Sequence, residues 1–303
     1  MRSSDALQVS PEVAAAVADG RPVLALESTI FTHGLPRPRN VEVALEAERQ
    51  LRDAGVVPAT IGLVDGVAVV GLTTDQIERL GTEDVRKVSV RDLPAAAATR
   101  SGGGTTVAST AYLAHAAGIR TMSTGGLGGV HHHASSTFDE SADLVTLAST
   151  PVTIVCAGVK SILDIPATLE RMETLNITVL GYRTNRFPAF YVRDSGLEVE
   201  YRVEDAGQVA AVTAHRDALG LKGAIVVANP VAEDRQLSPG LHERVLAEAF
   251  AAAEAQGVTG HDTTPFLLDF MQRETAGESL AVNLEVYRSN VALGAEIARA
   301  AAG

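Results

Sequence analysis

Apolar residues in this chain fall in short continuous runs separated by longer stretches of helical period. Pro22–Ile30 (PVLALESTI), Val152–Ala157, Ile177–Tyr182 and Gly223–Ala228 (GAIVVA) are apolar on both alternating faces, as in strands covered on two sides. Between them Val41–Ala54, Ala108–Ala117, Ala206–Leu219 and Pro239–Gln256 read as helices, amphipathic or rich in alanine. Further helices are expected at Ser10–Ala18, where Ser10 caps and Pro11 opens the first turn, and at Thr73–Leu80, Ser161–Leu175, His261–Glu274 and Ser279–Ala302. Asp65-Gly66 inside Thr60–Leu72 predicts a hairpin, so the sheet is mixed or carries a small sheet attached to it. Val85–Val90 and RTNRFPAFYVRDSG (Arg183–Gly196) read as additional strands. THGLPRPRN (Thr32–Asn40) reads as a loop broken by prolines, with Asn40 capping the next helix. No repeat or low-complexity linker interrupts the pattern. Residues 1–303 are therefore expected to form one domain, α/β in class: a three-layer α/β/α fold around a mostly parallel sheet.

Composition narrows the function. The 303 residues are 46% hydrophobic, enough for a sizeable core, and 25 basic against 37 acidic side chains give a net charge of −12. That balance lacks the basic footprint of a nucleic-acid partner. The single cysteine, Cys156, lies in an apolar run and suits a reducing cytoplasm. MRSSDALQVSPEVAAAVADG has no apolar core of a secretory signal, and no run approaches the roughly 18 apolar residues of a membrane span.

The candidate chemistry crowds into Thr121–Asp164, where a glycine-rich turn, three histidines, an acidic segment and a lysine follow one another between strand signals. Open α/β sheets bind ligands beyond the carboxyl ends of their strands, which is where these groups fall. Lys160, among apolar and small residues, is either an amine poised to form a Schiff base with a carbonyl or a side chain that reaches solvent or pairs with Asp164. Glu27 is either an exposed strand-end acid or a buried general acid whose pKa burial would raise. Ser101–Thr110 (SGGGTTVAST) enters a helix and reads as an anion-binding turn or a merely flexible one. It is neither a Walker loop nor GxGxxG. His131, His132, His133 and Asp139 offer metal donors, but consecutive histidines on an extended chain point to alternate faces and lack HExxH spacing.

Together ALESTIFTHGLPRPRN, KVSVRDLP, GGGTTVAST, STGGLGGVH, TFDESADL, CAGVKSILD, GYRTNRFPAF, NPV and SLAVNLEVYRSN carry a specific likeness: the chain resembles the pseudouridine-5′-phosphate glycosidases, the indigoidine synthase A-like family, from about Glu27 through Asn290. The resemblance implies a lyase that reversibly splits the C–C glycosidic bond of pseudouridine 5′-phosphate into uracil and ribose 5-phosphate, uses one divalent metal per subunit, typically manganese, and forms homotrimers. It implies Lys160 as Schiff-base nucleophile, Glu27 as proton donor and Asp139 as metal ligand. Lys87, Thr106, Val107 and Ser141-Ala142-Asp143 would bind substrate, with His131 near the sugar and Asn283 near the uracil. His132-His133 departs from the family's arginine and small residue at that place.

The residue types suit the reaction. A C-glycoside has no leaving oxygen or nitrogen to protonate, so two carboxylates acting through an oxocarbenium ion would struggle. An imine of Lys160 at C1′ of the opened ribose supplies an electron sink, with proton transfer by Glu27. Two other readings use the same features: a class I aldolase or lyase acting on another sugar phosphate, and a non-catalytic sugar-phosphate sensor.

Overall fold

The structure, a computed structural model, describes residues 7–258 and 263–302. In chain order its strands are β1 (Leu7–Val9), β2 (Val23–Leu26), β3 (Val57–Val64), β4 (Val67–Val70), β5 (Arg86–Val88), β6 (Gly103–Thr105), β7 (Thr121–Ser123), β8 (Thr153–Cys156), β9 (Thr178–Tyr182), β10 (Tyr201–Val203) and β11 (Ile225–Ala228). The helices are α1 (Pro11–Ala18), α2 (Thr29–Thr32), α3 (Arg39–Asp53), α4 (Thr74–Thr82), α5 (Leu93–Ala98), α6 (Val107–Ala116), α7 (Ala134–Thr137), α8 (Ala142–Leu147), α9 (Ile165–Thr174), α10 (Ala206–Ala218), α11 (Pro239–Ala255), α12 (Thr263–Glu274) and α13 (Glu278–Ala302).

Strands β3-β2-β7-β8-β11-β9-β10 run parallel in that order. Strand β3 also serves a second, mixed patch: beyond Thr60 it pairs antiparallel with β4 and β6, which carry β1 and β5 at their outer edges. The hairpin expectation therefore holds, with Asp65 at φ 51° and Gly66 at φ 83° supplying the two left-handed residues of its turn. The continuous apolar runs follow from burial on both faces. Leu24, Leu26, Val155, Ile225 and Val227 point to α3, α10 and α13, whereas Val23, Ala25, Met122, Ile154 and Val226 point to the layer of α1, α6, α8, α9 and α11. Among the described residues no helix is long and apolar enough to cross a membrane.

Several local expectations are corrected. The strand read over Pro22–Ile30 stops at Leu26, and Thr29–Thr32 forms one helical turn instead. Asn40 is not a cap: α3 already starts at Arg39, and the buried Asn40 amide donates to the carbonyls of Phe31 (2.6 Å) and Gly81 (2.9 Å), tying α2, α3 and α4 together. The glycine run is no flexible turn, because Gly103–Thr105 is strand β6 between β3 and β5. Arg183–Gly196 makes isolated bridges and no strand. The helix expected from Ser161 begins at Ile165, with Asp164 Oδ1 accepting from Ala167 N–H (3.0 Å) as its cap. His261 and Asp262 lie outside the described residues.

Candidate active site

Because β2, β7, β8 and β11 are parallel, the residues leaving their carboxyl ends meet at one edge of the sheet. Glu27 follows β2, Thr124-Gly125 follows β7, Lys160 lies four residues beyond β8, and Asn229 follows β11. A cavity of about 440 Å³ opens there, and its wall includes Glu27, Lys87, Lys160, Phe190, Tyr191 and Asn283. This volume is in the range of small-molecule sites.

Glu27 is buried, and burial pushes its carboxyl above the ordinary carboxylate range. The opposing influences are the Lys160 ammonium, a hydrogen bond from the Thr124 hydroxyl and, more weakly, Lys87. Lys87 enters from β5 and is held below the usual lysine value by desolvation first and by Lys160 second. Lys160 itself sits in the loop before α9, partly exposed to the cavity, and makes no ion pair among the described residues. Asp164 is engaged at the helix start, so the lysine–aspartate pairing weighed from sequence does not form. Two lysines and one protonatable acid thus face a shared space.

The helix-terminus anion site is differently arranged from the sequence expectation. Thr106 caps α6 through Ser109 N–H (3.4 Å), and Asp143 is a buried carboxylate that accepts from Ala108 N–H (2.9 Å) and Gly128 N–H (2.8 Å). An internal carboxylate therefore already occupies part of the α6 N-terminus. The Val107 N–H, the first of α6, remains without an acceptor among the described residues. Ser141 caps α8 through Asp143 N–H (3.2 Å), with Ala142 as its first residue. Gly128 allows this closure: a Cβ there would lie 2.6 Å from Ser141 Cβ and 2.8 Å from Asp143 Oδ2.

The three histidines separate because the chain turns here and is not extended as read from sequence: Ala134 N–H donates to His131 O (3.1 Å). His131 Nδ1 lies 3.9 Å from Asp139 Oδ2, His132 packs edge-on against the Phe250 ring at 4.6 Å, and His133 is exposed with a left-handed backbone. Desolvation holds His131 below its ordinary pKa, keeping the imidazole available as a neutral donor despite Asp139. Among the described residues no three His, Cys, Asp or Glu side chains converge as a metal cage. One carboxylate beside one imidazole nonetheless fits a hard divalent cation that keeps several water ligands.

Asn283 of α13 faces the cavity, and no described residue occupies its amide by hydrogen bonding. A Cβ at Gly125 would lie 3.5 Å from the Phe190 ring and 3.6 Å from Asn283 Oδ1, so an aromatic edge and an amide converge on that point. Phe190 has φ 62°, a costly conformation for an aromatic residue, and donates its N–H to Ala157 O (3.1 Å).

Compared with known proteins, residues 12–300 match the family described as indigoidine synthase A like protein. The chain belongs to the indigoidine synthase A-like family. Family relatives named pseudouridine-5′-phosphate glycosidase include one from Saccharopolyspora erythraea, 64% identical over 97% of this chain and 98% of its own, and one from Frankia alni, 58% identical over 96% and 81%. Among solved structures, the prealnumycin C-glycosynthase AlnA in complex with ribulose 5-phosphate superposes with TM-score 0.91 at 36% identity, covering 98% of this chain and 97% of that one. An indigoidine synthase A-like protein from Thermotoga maritima gives 0.88 at 35%, over 96% and 95%. The family resemblance and the fold class expected from sequence are both borne out.

Sequence reasoning missed Thr124, Asn229, Phe190 and Asn290. Thr124 and Asn290 look like ordinary small polar residues, and their partners lie 97 and 166 positions away.

Proposed function

We propose that this enzyme reversibly cleaves the C–C glycosidic bond of pseudouridine 5′-phosphate to uracil and ribose 5-phosphate through an imine of Lys160. The observation that carries the reading is the shared cavity in which Lys160 and a buried, protonatable Glu27 face each other, in a chain 64% identical to a relative of that name. Lys160 Nζ attacks C1′ and the C1′–O4′ bond breaks, O4′ taking a proton from Glu27. The secondary ammonium so formed returns a proton to the Glu27 carboxylate, which delivers it to uracil C5 as the freed nitrogen lone pair forms C1′=N and expels the base, and water hydrolyses the imine to ribose 5-phosphate and the lysine amine. Lys87 and the Val107 N–H, with Thr106 beside them, are suited to the phosphate. We assign His131 to the sugar, Asn283 and the Phe190 ring to uracil, and Ser141-Ala142-Asp143, joined to the α6 start and the glycine turn through Asp143, to the support of the substrate.

Asp139, with His131, would hold a divalent cation such as manganese, which when bound supplies positive charge to the anionic substrate. Consistent with the family resemblance, we read the enzyme as a cytoplasmic homotrimer. The buried Cys156 thiol, pushed up to about 12 by burial, is unsuited to redox work. Incubation with pseudouridine 5′-phosphate and manganese should release uracil, and borohydride with ribose 5-phosphate should fix an adduct on Lys160. No uracil, or an adduct on Lys87 or Lys222, would overturn the reading. Asp139→Ala should flatten the manganese response, and an unchanged response removes Asp139 from the site.

A further inference from the structure

We propose that Asn290 is a positioning residue for the proton donor, holding Thr124 so that its hydroxyl reaches the Glu27 carboxylate. The inference rests on the role of Glu27 proposed above. Asn290 lies on α13, fully buried, and its amide is saturated by one set of partners. Nδ2 donates to the carbonyls of Thr124 (2.8 Å) and Gly125 (3.2 Å), while Oδ1 accepts from Asn229 Nδ2 (2.9 Å). Its own carbonyl accepts from Ser123 Oγ (2.8 Å). The loop after β7 is thereby clamped from the helix side, while Thr124 N–H donates to Val155 O (3.0 Å) and Ala157 N–H donates to Gly125 O (2.9 Å) on the sheet side.

The amide serves both sides of the clamp. Gly125 O also accepts from Ala157 N–H and Asn229 Nδ2 also donates to Ser289 Oγ (3.1 Å), but the Thr124 carbonyl has only the Asn290 amide among the described residues, so a carboxylate or an alkyl group at 290 leaves it unpaired. Thr124 is itself fully buried, so its carbonyl has no water to turn to. If the clamp fails, the loop shifts, and the hydroxyl that donates to Glu27 goes with it. The clamp also ties together the chain leaving β7, β8 and β11, since Asn229 N–H donates to Cys156 O (2.8 Å). Asn283, two turns earlier on α13, is held against Gly125 by the same anchoring.

The test compares wild type with Asn290→Ala, the isosteric Asn290→Asp, Thr124→Val and the Asn290→Ala/Thr124→Val double variant. Two quantities are read: cleavage kinetics with pseudouridine 5′-phosphate, and infrared titration of the Glu27 carboxyl, identified by its loss in Glu27→Gln. Lys160, Lys87, Asp143 and Tyr287 also face this carboxyl and are unaltered throughout. The Thr124 hydrogen bond favours the charged form, so its loss should move the Glu27 midpoint upward, equally in Asn290→Ala and Thr124→Val and no further in the double variant. Displacing the donor should lower kcat about 10- to 100-fold. KM should stay within about 3-fold, as for a contact felt mainly in the transition state. A Glu27 midpoint at the wild-type value in both Asn290 variants overturns the inference, whatever happens to kcat. A shifted midpoint in an enzyme whose wild type releases no uracil supports the clamp and rejects the activity instead.

Discussion

The two edges of the parallel sheet both bury charge, and they treat it in opposite ways. Below the amino ends of β8 and β11, the Arg216 side chain is only 5% exposed, yet it donates to Val152 O (3.0 Å) and to Asp217 Oδ1 (2.8 Å), and Asp217 also accepts from Arg120. Burial alone would raise the Asp217 carboxyl, but the hydrogen bonds from Arg120 and Arg216 hold it below its ordinary value. At the carboxyl edge Glu27 has one hydroxyl partner and no arginine, and there burial wins. Compensated charge belongs to the fold. Charge left uncompensated beside a cavity is available for chemistry.

The strongest way to break this contrast is Lys160→Ala. Its ammonium has no ion pair among the described residues, so at a pH that keeps Glu27 protonated the variant should keep its thermal midpoint, with stability changed by no more than about 0.5 kcal/mol. Turnover should fall by on the order of 10⁴-fold or more, as when a covalent nucleophile is removed. Calorimetry beside uracil release checks both. A variant that unfolds would make Lys160 a structural residue.

Asp217→Ala should do the reverse. It leaves Arg216 buried with only a carbonyl partner, and because Asp217 is about one-third exposed the expected loss is about 2 kcal/mol, below that of a fully buried pair. Activity per folded molecule should be unchanged. The folded pKa of Asp217 is depressed, so its stabilisation is present above the unfolded value and lost as pH falls through the folded one. Denaturant titrations at falling pH should therefore show wild type and variant converging in acid. Curves that stay parallel below pH 3 would show the pair contributes no charge-dependent stability.

How much of this was legible beforehand depends on the range of the interactions. Glu27 and Lys160 declared themselves because a charge inside an apolar run is locally anomalous. The start of α9 was legible too: Asp164 followed by Pro166 is a cap and first-turn proline, a stronger signal than the serine at 161. By contrast Leu7–Val9 becomes strand β1 only because β4 offers it an edge, and the glycines of β6 are strand residues only because β3 and β5 flank them. Glycine's weak local preference lets tertiary pairing decide. The Thr124–Asn290–Asn229 clamp joins three distant segments, and nothing in any one of them marks the others.

Asn283→Leu sharpens the contrast within the cavity. The amide faces open space beside Phe190, so the substitution should weaken uracil in the synthetic direction by about 1–3 kcal/mol, the cost of unpaired polar groups on the base. Borohydride trapping with ribose 5-phosphate alone should be nearly intact. Titrating uracil at saturating ribose 5-phosphate separates the two, and an equal loss in trapping would assign Asn283 to the sugar or to the fold.

The smallest effect falls on stability at Glu27. A carboxyl whose folded pKa is raised stabilises the fold fully below its unfolded value, near 4.5, and that contribution is lost as pH rises through the folded value. Above it the protein holds a buried carboxylate whose desolvation Lys160, Lys87 and Thr124 only partly offset. Glu27→Gln removes the charge while keeping the shape and an oxygen to accept from Thr124. It should be inactive as a proton donor yet more stable than wild type at pH 8, where wild type carries the poorly compensated carboxylate. The advantage should shrink as pH falls and vanish below pH 4, the opposite trend to that of a paired carboxylate such as Asp217. Thermal midpoints of the two proteins from pH 4 to 8 measure it. A constant difference across that range, or a less stable Glu27→Gln at pH 8, would mean that the lysines compensate Glu27 as fully as the arginines compensate Asp217, and the distinction between the two edges of the sheet would disappear.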